Sequence, residues 1–178
     1  MSKISIVLSG GAAKGGLEVG MLKAILEKYR YDQIEVITGT SVGALNGALV
    51  AQQDFDKLIE IWRSIKSWKD IYKNWFFGYV EGFFRGGFVS FSPMKKVIDK
   101  YINESIFKSN ISYFACDIDL YNRKKNYCGN KNSIEDLDIL KQHILASASM
   151  VPQFAPINIE NRLYSDGGAK EQIPVRKA

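Results

Sequence analysis

One histidine, two cysteines and four prolines are all that 178 residues supply. No apolar run approaches the roughly twenty positions that a membrane-spanning helix needs. Cys116 and Cys128 belong to no CxxC or Cys/His cluster, so neither a structural zinc site nor a disulfide framework is indicated, and reduced thiols are expected. The apolar run from Ile4 to Leu8 is too short for a signal-peptide core or an anchor, which places the expected location in the cytoplasm. Linkers, low-complexity tracts and repeats of solenoid period are also missing.

What is there is the composition of an ordinary globular domain, 46% hydrophobic and 24% charged. The length suits one domain spanning 1–178. A net charge of +5 favours anionic surfaces, among them acidic lipid, although solvated lysines are the plainer source; no nucleic-acid partner is expected.

Strand, glycine loop and helix occur in that order twice. Ile4 to Leu8 reads as a buried strand, followed by the loop from Gly10 to Gly16 and an amphipathic stretch from Leu17 to Tyr29. Glu35 to Thr38 reads as a second strand, Gly39 to Gly43 as a sharp turn, and Ala44 to Gln52 as a helix. Further helices are expected over Phe55 to Ile65, Ser92 to Tyr101 and Asp136 to Met150. Strands are expected over Ser112 to Asp117, with a hairpin partner near Lys125 to Cys128, and over Arg162 to Asp166. The repeated order predicts a three-layer α/β/α sandwich with a mostly parallel central sheet.

The turn Gly39-Thr40-Ser41-Val42-Gly43 matches a nucleophile elbow, which needs small neighbours so that a serine can stand clear on a tight strand-to-helix bend. A GxSxG pattern arises by chance in roughly one such sequence in ten, so the flanking strand and helix carry the argument. The helix dipole behind Ser41 favours developing negative charge. The plainer alternative is a glycine turn that joins strand to helix. His143 lies inside a helix and precedes the best-placed acid, opposite to the hydrolase order of serine, acid, histidine, and is expected on the surface or half-buried. A carboxylate can take the proton directly if it is held within reach. Asp166, at a strand end before Gly167-Gly168, is the leading candidate, ahead of Asp117 and Asp119; its plainer reading is an Asp-Gly turn. The loop Gly10-Gly11-Ala12-Ala13-Lys14-Gly15 offers backbone N–H groups to an oxyanion and fits neither a P-loop nor GxGxxG. Lys14 is either a support for an anionic head group or a solvated lysine.

Together the glycine loop, the elbow, the stretch Ala146-Ser147-Ala148-Ser149-Met150-Val151-Pro152, and Asp166-Gly167-Gly168 with Ile173-Pro174-Val175 resemble the patatin-like phospholipase family. The resemblance implies a Ser41–Asp166 dyad, an oxyanion hole from Gly10, Gly11 and Ala12, and metal-independent hydrolysis of acyl esters in lipids. The family's loop has three consecutive glycines, where this chain has Ala12 third, and Lys14 takes the basic place. Similar proteins continue past the aspartate motif, so the chain is expected to be a C-terminally truncated domain. The expected substrate is a phospholipid or other acyl-ester lipid, with no activator identified. A lysophospholipase, thioesterase or carboxylesterase with the same dyad stays open, as does a phosphate- or nucleotide-binding module without hydrolysis.

The segment Trp68 to Phe91 carries ten aromatics in twenty-four residues, among them Trp75, Phe76, Phe77, Tyr79, Phe83, Phe84 and Phe88, with basic residues interspersed. That mixture suits peripheral membrane contact or a lid, and plain core packing is the alternative.

Overall fold

Residues 3–75, 78–131 and 136–178 are described by the computed structural model. Phe76 and Phe77, with the side chains of Tyr79 and Phe83, lie outside the described residues. Strand β1 (Ile4–Leu8) leads through a 3-10 turn at Ala12–Lys14 into α1 (Gly15–Lys28), and β2 (Ile34–Thr40) leads into α2 (Val42–Ala51). Next come α3 (Phe55–Ser64), β3 (Lys73–Asn74), α4 (Gly78–Arg85), β4 (Val89–Ser90), α5 (Ser92–Tyr101) and α6 (Ser105–Lys108). The chain then forms β5 (Ser112–Asp119), β6 (Lys124–Gly129), α7 (Leu137–Ser147), β7 (Ile157–Ile159) and β8 (Arg162–Asp166).

Local chemistry accounts for several of these boundaries. Helix α2 is apolar apart from Asn46, and every residue from Gly43 to Ala51 is buried, as expected of a helix enclosed in the core. Pro93 opens α5 where a missing N–H costs nothing. Asp136 caps α7 by accepting from the N–H groups of Asp138 and Ile139 at 2.8 and 3.3 Å, a cap worth about 1 kcal/mol.

The α/β sandwich expected from the sequence is present, as a mixed sheet with helices on both sides. Its path is β1-β2-β5-β8-β7, with β6 also on β5. The β1–β2 and β2–β5 pairs are parallel, whereas β5–β6, β5–β8 and β7–β8 are antiparallel, so parallel character is confined to the first three strands. Connection length explains the change. Residues 120–123 between β5 and β6 permit only a hairpin, and β7 turns into β8 through Glu160 and Asn161, both at positive φ (49° and 64°) as a tight hairpin turn requires.

One detail of register positions everything that follows. Strand β6 occupies one edge of β5 from Phe114 to Asp119. The other edge is shared in tandem: β2 pairs with Ser112 to Cys116, and β8 pairs with Asp117 to Asp119. Because β8 runs opposite to β2, their C-terminal ends face one another at the middle of β5. Beneath this junction the core contains fully buried Ile37, Leu49, Leu58, Tyr113 and Ile144, and the Tyr113 hydroxyl donates to the Ala44 carbonyl at 2.7 Å.

Candidate active site

Ser41 follows Thr40, which lies opposite Cys116, and Asp166 lies opposite Asp117. The two residues singled out from the sequence are therefore delivered to neighbouring positions of one strand from opposite directions. Ser41 sits at φ 57°, ψ −126°, a conformation that costs a non-glycine residue on the order of 1–3 kcal/mol. Close packing holds it there. A Cβ on Gly39 would come within 2.3 Å of the Gly43 carbonyl, and one on Gly43 within 2.8 Å of the end of β1. Both outer positions of the elbow thus require glycine for space.

Asp166 is 8% exposed, and its Oδ1 accepts from the Gly168 N–H at 2.7 Å. Burial pushes the carboxyl above its usual value, and hydrogen bonds from the Gly168 N–H and the Ser41 side chain partly offset that rise. A carboxylate that is reluctant to stay ionised is a better proton acceptor near neutrality. Gly167 makes the approach possible, since a Cβ there would lie 2.3 Å from the Cys116 carbonyl oxygen.

The glycine loop borders the elbow: a Cβ built on Gly10 would lie 3.2 Å from that of Ser41. Its use as an oxyanion hole needs one correction. The Gly10 N–H donates to the Gln172 carbonyl at 3.1 Å, while the Gln172 side chain returns a bond to the Gly10 carbonyl at 3.0 Å. Gly10 is therefore occupied in fixing the loop, and Gly11 and Ala12 remain as candidate donors. Ala12, at the position where the resemblance leads one to expect glycine, adopts φ 48°, in the left-handed region. Lys14 is exposed at the start of the helix. Behind it, a Cβ on Gly15 would strike Val42 and Trp62 at 2.4 and 2.6 Å. Asn46 ties the same corner together, donating to the Gly15 carbonyl at 3.1 Å and to Glu18 at 3.0 Å and accepting from the Trp62 indole at 2.9 Å.

Three contributors were invisible to the sequence reasoning. The Ser147 hydroxyl accepts from the Ser41 N–H at 2.9 Å and donates to the Cys116 carbonyl at 2.6 Å, filling the gap where β2 ends and β8 begins. The Ser149 carbonyl accepts from the Asp166 N–H at 3.1 Å and from the Ser165 hydroxyl at 2.8 Å. One segment thus grips both halves of the site. Gln172 is the third. The only sequence signal for Ser147 and Ser149 was their place in the small-residue stretch that entered the resemblance.

His143 departs from expectation. It is 5% exposed, because it shares the inward face of α7 with Leu140 and Ile144, and its Nδ1 lies 2.6 Å from Oδ2 of Asp117. The Asn126 amide donates to the other oxygen of Asp117 at 3.0 Å. Asp119 accepts from the Tyr121 and Asn122 N–H groups and from Arg162, so its carboxylate serves the β5–β6 turn. Among the described residues, no group of three or more His, Cys, Asp or Glu side chains could hold a metal ion.

The aromatic segment divides. Phe91 stacks on Phe154 with centroids 4.1 Å apart, Tyr72 meets the same ring edge-on, and the Trp75 indole donates to the Gly87 carbonyl at 2.8 Å. Trp68, Phe84 and Phe88 are exposed, at 45%, 83% and 50%. The segment is anchored just beyond Ser149, through Phe88 and Val89 N–H groups donating to the Pro152 and Gln153 carbonyls. No helix among the described residues is long and apolar enough to cross a membrane.

Comparison with known proteins bears on the family and the fold. The family model for patatin-like phospholipase matches residues 6–178. Lysophospholipase NTE1 of Kluyveromyces lactis is 28% identical over 179 aligned positions, covering 97% of this chain and 11% of that protein. The corresponding protein of Aspergillus terreus is 27% identical, again across 97% of this chain and 11% of the relative. This chain therefore spans a small part of the length of these curated relatives. Among solved structures, VipD from Legionella pneumophila superposes with a TM-score of 0.69 at 12% identity, covering 98% of this chain and 47% of that one, a likeness of fold.

Proposed function

This chain belongs to the patatin-like phospholipase family, and from that premise we propose that it is a serine acyl-hydrolase of lipid esters working through Ser41 and Asp166. The observation that carries the reading is the convergence of a strained, strand-end serine and a buried carboxyl on adjacent positions of β5. As Ser41 Oγ bonds to the ester carbonyl carbon, its proton passes to Asp166. The carbonyl oxygen becomes an oxyanion facing the N–H groups of Gly11 and Ala12, with the N-terminus of α2 behind the elbow. Collapse breaks the carbon–oxygen bond to the alcohol, which leaves with the proton from Asp166. Water then attacks the acyl-enzyme, again giving a proton to Asp166, and the fatty acid departs as the carbon–oxygen bond to Ser41 breaks and Asp166 returns the proton to Oγ.

Phospholipid is the proposed substrate class. The names of the NTE1 relatives favour a second reading within it, a lysophospholipid bearing one acyl chain. Exposed Trp68, Phe84 and Phe88 supply the apolar surface for contact with a membrane periphery, where such substrates reside.

The test is a fluorophosphonate probe followed by peptide mapping, together with fatty-acid release from phosphatidylcholine and lysophosphatidylcholine vesicles or micelles. Wild-type protein should be labelled at Ser41. Ser41→Ala should abolish labelling and release, and Asp166→Asn should slow both by about 10²- to 10⁴-fold. Folded wild-type protein that binds phosphate yet is never labelled at Ser41 would instead support the non-hydrolytic binding module.

A further inference from the structure

We propose that the buried His143–Asp117 pair is a positioning device for the nucleophile, holding α7 at the register on β5 in which Ser147 supports the elbow. The inference rests on the reading of Ser41 and Asp166 as the reacting pair. It assigns His143 a role in catalysis without contact with the reacting atoms.

The geometry points there by three connected observations. First, His143 and Ser147 lie four residues apart on α7, hence one above the other on the same helix face. Each holds a successive residue of β5: His143 Nδ1 is 2.6 Å from Asp117 Oδ2, and the Ser147 hydroxyl donates to the Cys116 carbonyl at 2.6 Å. Second, the Ser147 hydroxyl accepts from the Ser41 N–H, at 2.9 Å. A shift of α7 along β5 therefore moves the group that supports the strained elbow. Third, Asp117 is the cross-strand partner of Asp166, so the same anchor lies beneath the proposed base.

The site is also well enclosed. Asp117 is fully buried and His143 nearly so, Asn126 satisfies the second carboxylate oxygen, and Tyr164 of β8 meets the imidazole edge-on at 4.8 Å. When Asp117 is ionised its Oδ2 can only accept, which makes Nδ1 the donor of this bond. Buried polar contacts of this kind are directional and tolerate little displacement, whereas the apolar contacts of Leu140 and Ile144 on the same face can slide. A displacement of about 1 Å at a nucleophile can cost on the order of a hundred-fold in rate.

The experiment compares three substitutions at one position by labelling rate, kcat, KM and thermal midpoint. In His143→Asn the amide nitrogen falls near the place of Nδ1 and keeps a donor for Asp117. In His143→Gln the same amide is carried one methylene further, and His143→Leu has no donor. Labelling of Ser41 and kcat should stay within about three-fold of wild type for Asn, and fall together by about ten- to hundred-fold for Gln and Leu, with KM little changed. A folded Gln or Leu variant that labels as fast as wild type overturns the proposal, as does an Asn variant that is unfolded or as slow as Gln. Should Leu and Gln both fail to fold, Asp117→Asn decides: its oxygen keeps an acceptor for Nδ1 while the Asn126 amide turns its own oxygen to the new NH2, so retained labelling within three-fold is expected, and a hundred-fold loss in folded protein overturns the inference. Wild-type protein that is folded and never labelled marks a failure of the dyad reading itself, a separate result.

Discussion

Ser41 and Asp166 meet head to head against β5, one arriving from the end of β2 opposite Cys116 and the other from the end of β8 opposite Asp117. A strand that is paired in tandem along one edge with a parallel and then an antiparallel neighbour has a break in its ladder between them. Here that break is where the candidate chemistry is placed, and Ser147 bridges it. The arrangement leads to five expectations.

Ser147→Ala removes the acceptor for the Ser41 N–H and the donor for the Cys116 carbonyl. A buried group left without its partner costs about 1–3 kcal/mol, so the urea midpoint should drop and labelling of Ser41 should slow with it. Unchanged labelling in a destabilised variant would mean that the elbow is held by its glycines alone.

The pH dependence follows from the direction of the Asp166 shift. Burial raises its folded value above the ordinary 3.8, and only the ionised carboxylate can accept a proton. Activity should therefore rise with pH through the raised value and level off above it; an acid limb centred at or below 3.8 would exclude Asp166 as the base.

The same shift has a consequence for stability. The folded state binds the Asp166 proton more tightly than the unfolded chain does, so ionisation of this group opposes folding as pH rises from the unfolded value through the folded one. At pH 7 the neutral isostere Asp166→Asn should raise the thermal midpoint while turnover collapses. A lower midpoint would show that the Gly168 and Ser41 contacts outweigh the burial cost.

Ala12→Gly should stabilise the protein by about 1 kcal/mol or less, since an alanine at positive φ is strained and glycine is not, an advantage reduced by the greater freedom of glycine in the unfolded chain. Denaturant midpoints compare the two, and Ser41 labelling should persist. Gly167→Ala goes the other way. Its Cβ would lie 2.3 Å from the Cys116 carbonyl oxygen, and pushing the end of β8 aside should lower both stability and labelling.

Local sequence determined which residues could react and where the backbone had to bend. Gly39, Gly43, Asp166 and Gly167 were legible because tight turns and close backbone approach restrict the residue types that fit, and short-range periodicity gave β1, α1, β2, α3 and α5 nearly at their observed limits. The tertiary structure decided the rest. Strand β7 was missed because three residues are too few to show an alternation, and its existence depends on pairing with β8. His143, expected on the surface or half-buried, is turned by α7 onto Asp117. Gly10 looked like an oxyanion donor until Gln172, more than 160 positions away, claimed its N–H. Ser147 belonged to a small-residue stretch of the resemblance, and nothing local to it showed that its hydroxyl would meet the Ser41 N–H. Hydrogen bonds between distant segments depend on how the sheet brings strand ends together, and no window of sequence contains that register.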